Sequence, residues 1–336
     1  MLNPELVIKT SNLSKDYKVV IRDPGLRGMM RSFIHPKSTI IHAVKNLNLE
    51  IFKGELVGYI GPNGSGKSTT IKMLSGILEP TSGDVQVAGL IPSKERIKNA
   101  HNIGVVFGQR TQLWWDLPVQ ETFELLRHLY DIPSSIYRDN IYEFTQLLEL
   151  KDILNKPVRQ LSLGQRMRAE FASALLHNPK ILFLDEPTIG LDISIKRKVW
   201  DFIKKINRER QVTVILTSHD MQDIETLSSR LIVVDEGVQI FDGSIKELKS
   251  KYINKYRIRF KVNEEVSNIT HIDGLSSSIN ICGKGNDLYL VCPNSYNSAQ
   301  IVAAVMDRFE IRDINIENAN IDDVVMEVFF NAQQSG

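Results

Sequence analysis

Nine residues constrain this chain more than any others: Gly61-Pro62-Asn63-Gly64-Ser65-Gly66-Lys67-Ser68-Thr69. They follow a strand-like run, 55–60, and precede a helix-like run, 70–78. Strand, glycine loop, helix is the context in which the spacing G-x-x-x-x-G-K-[ST] becomes a phosphate cradle. Gly61, Gly64 and Gly66 let the backbone curl until several N–H groups converge. The helix start adds its positive dipole end. Lys67 offers a point charge to outer phosphates, and the Ser68 hydroxyl is placed to ligate Mg²⁺. A plain glycine turn before a cationic helix would explain the loop but not the motifs downstream.

A chain of 336 residues has room for two or three domains. Its 42% hydrophobic and 24% charged residues describe a globular protein. The net charge is +1, so no overall basic excess marks it as a nucleic-acid binder. Cys282 and Cys292 read as buried free thiols in a reducing compartment. Residues 1–15 lack the apolar centre of a signal peptide, and no apolar run reaches spanning length. The expectation is that any membrane work is done through a partner.

In chain order, 5–13 and 43–52 read as strands of a hairpin interrupted by an insertion at 18–41. Within the insertion, Leu26, Met29, Met30, Phe33 and Ile34 fall on one helical face, and the segment carries a net +4. Such a basic amphipathic helix can lie on a membrane surface, sit in a membrane partner's groove, or pack on its own domain. Strands are predicted at 83–87 and 103–107, and Gln109 follows the second. Trp114 and Trp115 lie on the loop beyond, an anchor pair for a core or an interface. Helices are predicted at 119–131 and 134–154, a helical insertion between sheet elements.

Leu161-Ser162-Leu163-Gly164-Gln165 opens another helix, 166–177. Next, Ile181-Leu182-Phe183-Leu184-Asp185-Glu186 places two acids after four apolar residues. A continuous apolar run fits a strand of a parallel sheet buried on both faces. Adjacent carboxylates at its end are costly to leave unpaired, and a bound Mg²⁺ and water would relieve that cost. Gly190-Leu191-Asp192 turns into a helix at 194–208, and the strand 212–216 delivers Ser218-His219 to the edge where open α/β sheets bind ligands. Strand 231–234 and its partner 238–241 close this part.

Beyond 245 the pattern changes. Tyr256, Ile258, Phe260 and Val262 alternate with Arg257, Arg259 and Lys261, a half-buried strand. A hairpin of 279–282 with 288–292, a helix at 299–309, a strand at 311–316 and a helix at 321–330 complete a small α+β unit with no catalytic cluster.

Taken together, residues 5 to about 243 resemble the ATP-binding subunit of an ABC transporter. In that comparison Gln109 matches the Q-loop, 161–165 the signature, 181–186 the Walker B strand, 190–192 the D-loop and His219 the switch histidine, while Tyr17 takes the place of the adenine-stacking aromatic. Leu163 stands where glycine is usual; Ser162 and Gly164, which face phosphate in the family, are kept. The segments 104–109 and 114–118, with the C-terminal extension, are similar to the ATPases of ABC-2-type exporters, whose membrane subunit is a separate chain.

The resemblance implies a P-loop NTPase fold of the ABC ATPase type with a helical insertion, plus a small C-terminal α+β domain. It divides the chain into an ATPase domain, 1–244, with a helical subdomain at about 110–165, and an accessory domain, 245–336. It implies ATP and Mg²⁺ as ligands. The loop 61–69, Tyr17, Ser162, Gly164, Gln165 and Asp192 would contact nucleotide; Ser68, Gln109 and Asp185 would hold the metal; Glu186, His219, Gln109 and Lys67 would do the chemistry. Ser162 and Gly164 would act on nucleotide held by a second chain, so the working unit would be a head-to-tail homodimer or a pseudo-symmetric heterodimer on the cytoplasmic face of a membrane. Two rivals stand beside this reading: an ABC ATPase of DNA repair or translation, and a nucleotide sensor that does not hydrolyse. One phosphate loop and the absence of a long coiled coil count against the first; Glu186 and His219 count against the second.

Overall fold

The structure is a computed structural model that describes residues 5–21, 37–108, 110–252, 255–267, 269, 271–293, 295–318, 325 and 328. The chain divides into two compact units, Met1–Asp242 and Gly243–Gly336.

The first unit contains two sheets. Strands β1 (Leu6–Ile21) and β2 (Lys37–Phe52) pair antiparallel from Leu6↔Phe52 to Ile21↔Lys37. The far edge of β1 carries β4 (Ser82–Val87). The hairpin is therefore longer than the sequence reading allowed: 18–21 and 37–41 belong to its strands, not to an insertion. Val19, Val20, Ile40 and Ile41 favour extended backbone, and that local preference continues the ladder. The helical stretch predicted at 26–34 lies outside the described residues.

The second sheet holds β5 (Ile103–Phe107), β6 (Ile181–Asp185), β7 (Thr213–Thr217), β3 (Leu56–Ile60), β8 (Arg230–Asp235) and β9 (Val238–Ser244), side by side in that order. The pairings from β5 through β8 are parallel. Glu236 and Gly237, at φ 45° and 82°, turn β8 into β9. Burial explains the apolar runs: Ile181 to Leu184 and all of β7 are buried, as central parallel strands covered on both faces must be.

Helix α1 (Lys67–Leu74) lies in one core with both sheets. Its Ile71, Met73 and Leu74 share a cluster with Ile8, Leu47 and Ile51 of the hairpin and with Tyr59, Phe183 and Ile215 of the parallel sheet. The helix begins three residues earlier than predicted and ends four earlier, because Gly76 at φ 79° reverses the chain. The remaining helices of the unit are α2 (Arg96–Asn102), α3 (Val119–Leu129), α4 (Ser134–Leu147), α5 (Leu163–Leu175), α6 (Ile193–Arg210) and α7 (Met221–Leu227). Helix α4 stops well short of 154. Glu149 takes φ 50°, and Leu148, Leu150 and Ile153 turn inward to be fully buried. The sequence reading did not anticipate α2 or α7; seven residues are too few for the 3.6-residue periodicity to stand out.

The second unit begins with α8 (Ile245–Tyr252), also unanticipated, and continues with β10 (Lys255–Val262), β11 (Asn280–Lys284), β12 (Asp287–Pro293), α9 (Ser298–Met306) and β13 (Ile311–Asn318). Its sheet is antiparallel, ordered β11-β12-β10-β13. One face buries Ile258, Phe260, Leu288 and Leu290 against Ile301 and Val305 of α9. The other carries Arg257 and Arg259, whose guanidinium carbons lie 4.5 and 5.9 Å from the centroid of the Tyr289 ring. The expectation of two buried thiols holds only for Cys292, whose pKa desolvation raises to about 11; β11 leaves Cys282 exposed. Val325 and Val328 are helical and buried, and the rest of the predicted helix 321–330 lies outside the described residues.

Candidate nucleotide site

Parallel pairing sets the site. The register Phe107↔Asp185↔Thr217 aligns the ends of β5, β6 and β7, and β3 runs beside β7 into the glycine loop. Four chain segments that are remote in sequence thus deliver their next residues to one sheet edge, where open α/β sheets bind ligands.

The loop is shaped by its glycines. Gly66 caps α1 at φ 98°, and a Cβ there would lie 2.2 Å from the Ala43 carbonyl oxygen, so only glycine fits. Lys67 is 8% exposed, and its Nζ donates to the carbonyl oxygens of Gly61 (2.7 Å) and Pro62 (3.0 Å). Burial holds its pKa below the usual lysine value, against the opposing pull of Glu186 and Asp185. Pro62, Asn63, Gly64 and Ser68 are exposed on the rim, Gly61 and Thr69 half-buried. Ser65 is buried, and its Oγ has no hydrogen-bond partner, which leaves a polar atom of the cradle unsatisfied.

The acids follow on β6. Asp185 Oδ1 accepts from Ser68 Oγ (3.2 Å) and from Thr217 Oγ1 (2.7 Å). Glu186 takes φ 53°, and its Oε2 lies 2.6 Å from Nδ1 of His219. Ser68, Gly108, Asp185 and Glu186 line one cavity of 280 Å³. A larger cleft of 480 Å³, between Lys9, Glu79, Asp84 and Lys94, contains none of the motif residues; the chemistry of the donors places the site, not the volume. The hydroxyl of Ser68 and the carboxylates of Asp185 and Glu186 form an oxygen-only donor set, which suits a hard cation such as Mg²⁺.

Tyr17 sits on β1 opposite Ile41 and is 37% exposed. Ala43, two residues beyond Ile41 on β2, is the residue whose carbonyl meets Gly66, so the hairpin brings Tyr17 alongside the loop. Gln109 lies outside the described residues.

The signature residues form a separate group. Ser162 caps α5: its Oγ accepts from Gln165 N (3.3 Å), and its own N–H donates to Gln165 Oε1 (3.0 Å). The Oε1 of Gln165 thus serves the cap. Gly164 faces Ile195 of α6, where a Cβ would lie 3.2 Å from Cγ1. A Cβ on Gly190 would lie 3.0 Å from Leu163 Cδ2, so the extra bulk of Leu163 packs at the turn before α6. Asp192 caps α6 by accepting from the N–H groups of Ser194 and Ile195, 3.0 Å each. The Ser194 hydroxyl bond is the main cause of its lowered pKa. Among the described residues no hydrogen bond joins 162–165 to 61–69.

Three further residues at the site belong to none of the motif positions. Gly108 and Thr217 touch the acids directly. Glu170, buried on α5, accepts from Thr111 Oγ1 and from Gln112 N (3.2 Å), tying the loop after Gln109 to the signature helix, and burial raises its pKa. The available signal was a polar residue inside an apolar run: Thr217 ends Val-Ile-Leu, and Glu170 interrupts Ala169 and Phe171.

A glycine cradle with a buried lysine, a hydroxyl next to it, and two acids ending the neighbouring strand define a P-loop nucleotide-binding ATPase. The comparisons with known proteins narrow this. The family model described as ABC transporter matches residues 44–189. The ABC transporter ATP-binding protein NatA of Bacillus subtilis is 33% identical over 63% of this chain and 86% of its own length. ABC transporter A family member 1 of Dictyostelium discoideum is 32% identical over 90% of this chain. This chain spans about a third of the length of that relative and of two further A family members. Among solved structures, the dimeric ATP-binding cassette MJ0796 in a post-hydrolysis state bound to ADP and Pi is 30% identical, covers 71% of this chain and 98% of its own, and superposes with a TM-score of 0.58. The chain belongs to the ABC transporter family, as an ATP-binding cassette that binds ATP with Mg²⁺.

Proposed function

We propose that this chain hydrolyses ATP to power export through a separate membrane subunit of the ABC-2 type, to which it docks at the cytoplasmic face. The observation that carries the reading is the 2.6 Å contact of His219 with Glu186, which lines one cavity with Ser68 and Asp185. Backbone N–H groups of 61–69 and the ammonium of Lys67 hold the phosphates; Tyr17 stacks on the adenine ring. Ser68 and Asp185, with Gln109, would hold Mg²⁺, which supplies charge neutralisation on the phosphate oxygens when bound. Glu186 orients a water and takes its proton. His219 fixes the carboxylate of Glu186 and offers a ring nitrogen to the terminal phosphate.

One chain does not complete the site. Ser162 at the start of α5 offers a helix N-terminus that makes no bond to the chain's own loop, and a solved relative is dimeric with ADP and Pi bound. Two copies related by a two-fold axis would place each Ser162 on the other's nucleotide. ATP then favours the closed dimer because it contacts both copies, and hydrolysis removes that bridge. The exposed Trp114 and Trp115, on the loop that Glu170 holds to α5, are the proposed contact with the membrane subunit. The test is Glu186→Gln. ATP affinity should stay unchanged while turnover falls by roughly 10²–10⁴-fold, the usual worth of a positioned base. Wild-type turnover would remove Glu186 from this role.

A further inference from the structure

Thr217 is the last residue of β7 and is wholly buried, beside Val214, Ile215 and Leu216. A buried hydroxyl costs free energy unless it is bonded, and this one is used twice. Its Oγ1 donates to Asp185 Oδ1 at 2.7 Å and accepts the N–H of Glu186 at 3.1 Å. The same N–H reaches the Thr217 carbonyl oxygen at 3.1 Å. One hydroxyl therefore touches the side chain of one acid and the backbone of the next.

The opposite side of the Asp185–Glu186 peptide is closed by Gly108, the residue after β5. Gly108 N donates to the Asp185 carbonyl at 2.8 Å. A Cβ on Gly108 would lie 1.9 Å from the Glu186 carbonyl oxygen, a distance no side chain tolerates. Between these two neighbours Glu186 is held at φ 53°, a left-handed conformation that costs a non-glycine residue about 1 kcal/mol or more. That backbone setting aims Oε2 at His219.

We infer that Thr217 and Gly108 are positioning residues for the reaction: Thr217 fixes both acids from β7, and the bare backbone of Gly108 leaves Glu186 the room to face its histidine. The inference rests on the reading of Glu186 as the base and of Ser68 as a metal-holding residue. Ser68 Oγ shares Asp185 Oδ1 with Thr217, so assigning it to the metal leaves Thr217 as the donor that keeps Asp185 oriented.

The test uses the full chain and a double-mutant cycle. Thr217→Val keeps the shape and removes the hydroxyl; Thr217→Ala removes it without a new methyl; Thr217→Ser keeps it. Single-turnover ATP hydrolysis, the affinity of a fluorescent ATP analogue in EDTA, and Tm are measured for each. Thr217→Val and Thr217→Ala should lower the hydrolysis rate roughly 10- to 50-fold, as expected of a small misplacement of reacting groups. Analogue affinity should change less than about twofold, and Thr217→Ser should restore the rate to within about threefold. Gly108→Ala should cost at least as much. In a Glu186→Gln background, Thr217→Val should cost clearly less than it does alone, because of the two acids it positions only Asp185 remains.

A wild-type rate in Thr217→Val, no rescue by Thr217→Ser, or an equal loss in the Glu186→Gln background would overturn the inference. If Glu186→Gln is slow while Thr217→Val is not, only this inference fails. If Glu186→Gln itself hydrolyses at the wild-type rate, the base assignment fails and this inference fails with it.

Discussion

The two sheets that end in α/β crossovers and in α+β hairpins place their polar residues by different rules. In the antiparallel sheet of 243–336, Arg257 and Arg259 face one side and Ile258 and Phe260 the other, by simple alternation along one strand. In the parallel sheet, alternation is absent and the candidate site sits at strand ends: Ser68, Gly108, Asp185, Glu186 and His219 arrive from four connections. A sheet covered on both faces has no solvated face to carry a site, so its edge carries it.

The largest test of this contrast is Phe260→Ala. Phe260 is fully buried in the second unit, and the truncation should cost about 3–5 kcal/mol there. ATP affinity and hydrolysis should be unchanged at a temperature where the second unit remains folded. A loss of ATP affinity in that variant would break the separation between the units.

The next concerns the first unit away from its site. His177 stacks on Tyr130 at 4.1 Å between ring centroids, with Nε2 donating to the Ile103 carbonyl at 3.0 Å. Burial is the main cause that lowers its pKa from 6.5 to about 4. Between those values the unfolded chain binds a proton that the folded chain refuses. Stability is therefore complete above pH 6.5 and falls as the pH drops toward 4, by roughly 3 kcal/mol in all. His177→Gln should flatten the dependence of Tm on pH across that window; an unchanged slope would assign the titration to other groups.

The smallest effect sharpens the comparison at the site itself. Lys67→Ala removes a charge-assisted donor from the cradle and should weaken ATP binding about 10- to 100-fold, read by titration calorimetry. Unchanged affinity would mean that the loop amides alone hold the phosphates.

How much of this was legible in the chain varies with range. The loop 61–69, the Ser162 cap with Gln165 three residues on, and the Asp192 cap are local, and their residue types state their geometry. The family and the identity of the acids followed from the order of such local motifs. The hairpin was read too short because a helical period at 26–34 masked the strand preference on either side of it. Helix α4 was read too long because Leu148, Leu150 and Ile153 continue an apolar run after the backbone has left the helix.

The sequence by itself determined the phosphate cradle, the two acids and the alternation of β10, since each depends on residues within one turn or one strand. Only the tertiary structure decided that Thr217 bonds Asp185 across 32 positions, that Ser68 does so across 117, and that Gly108 must lack a side chain because Glu186 stands against it. The reason is physical: parallel strands are joined by long crossovers, so which strand ends meet is settled by packing between layers and leaves no mark in local spacing.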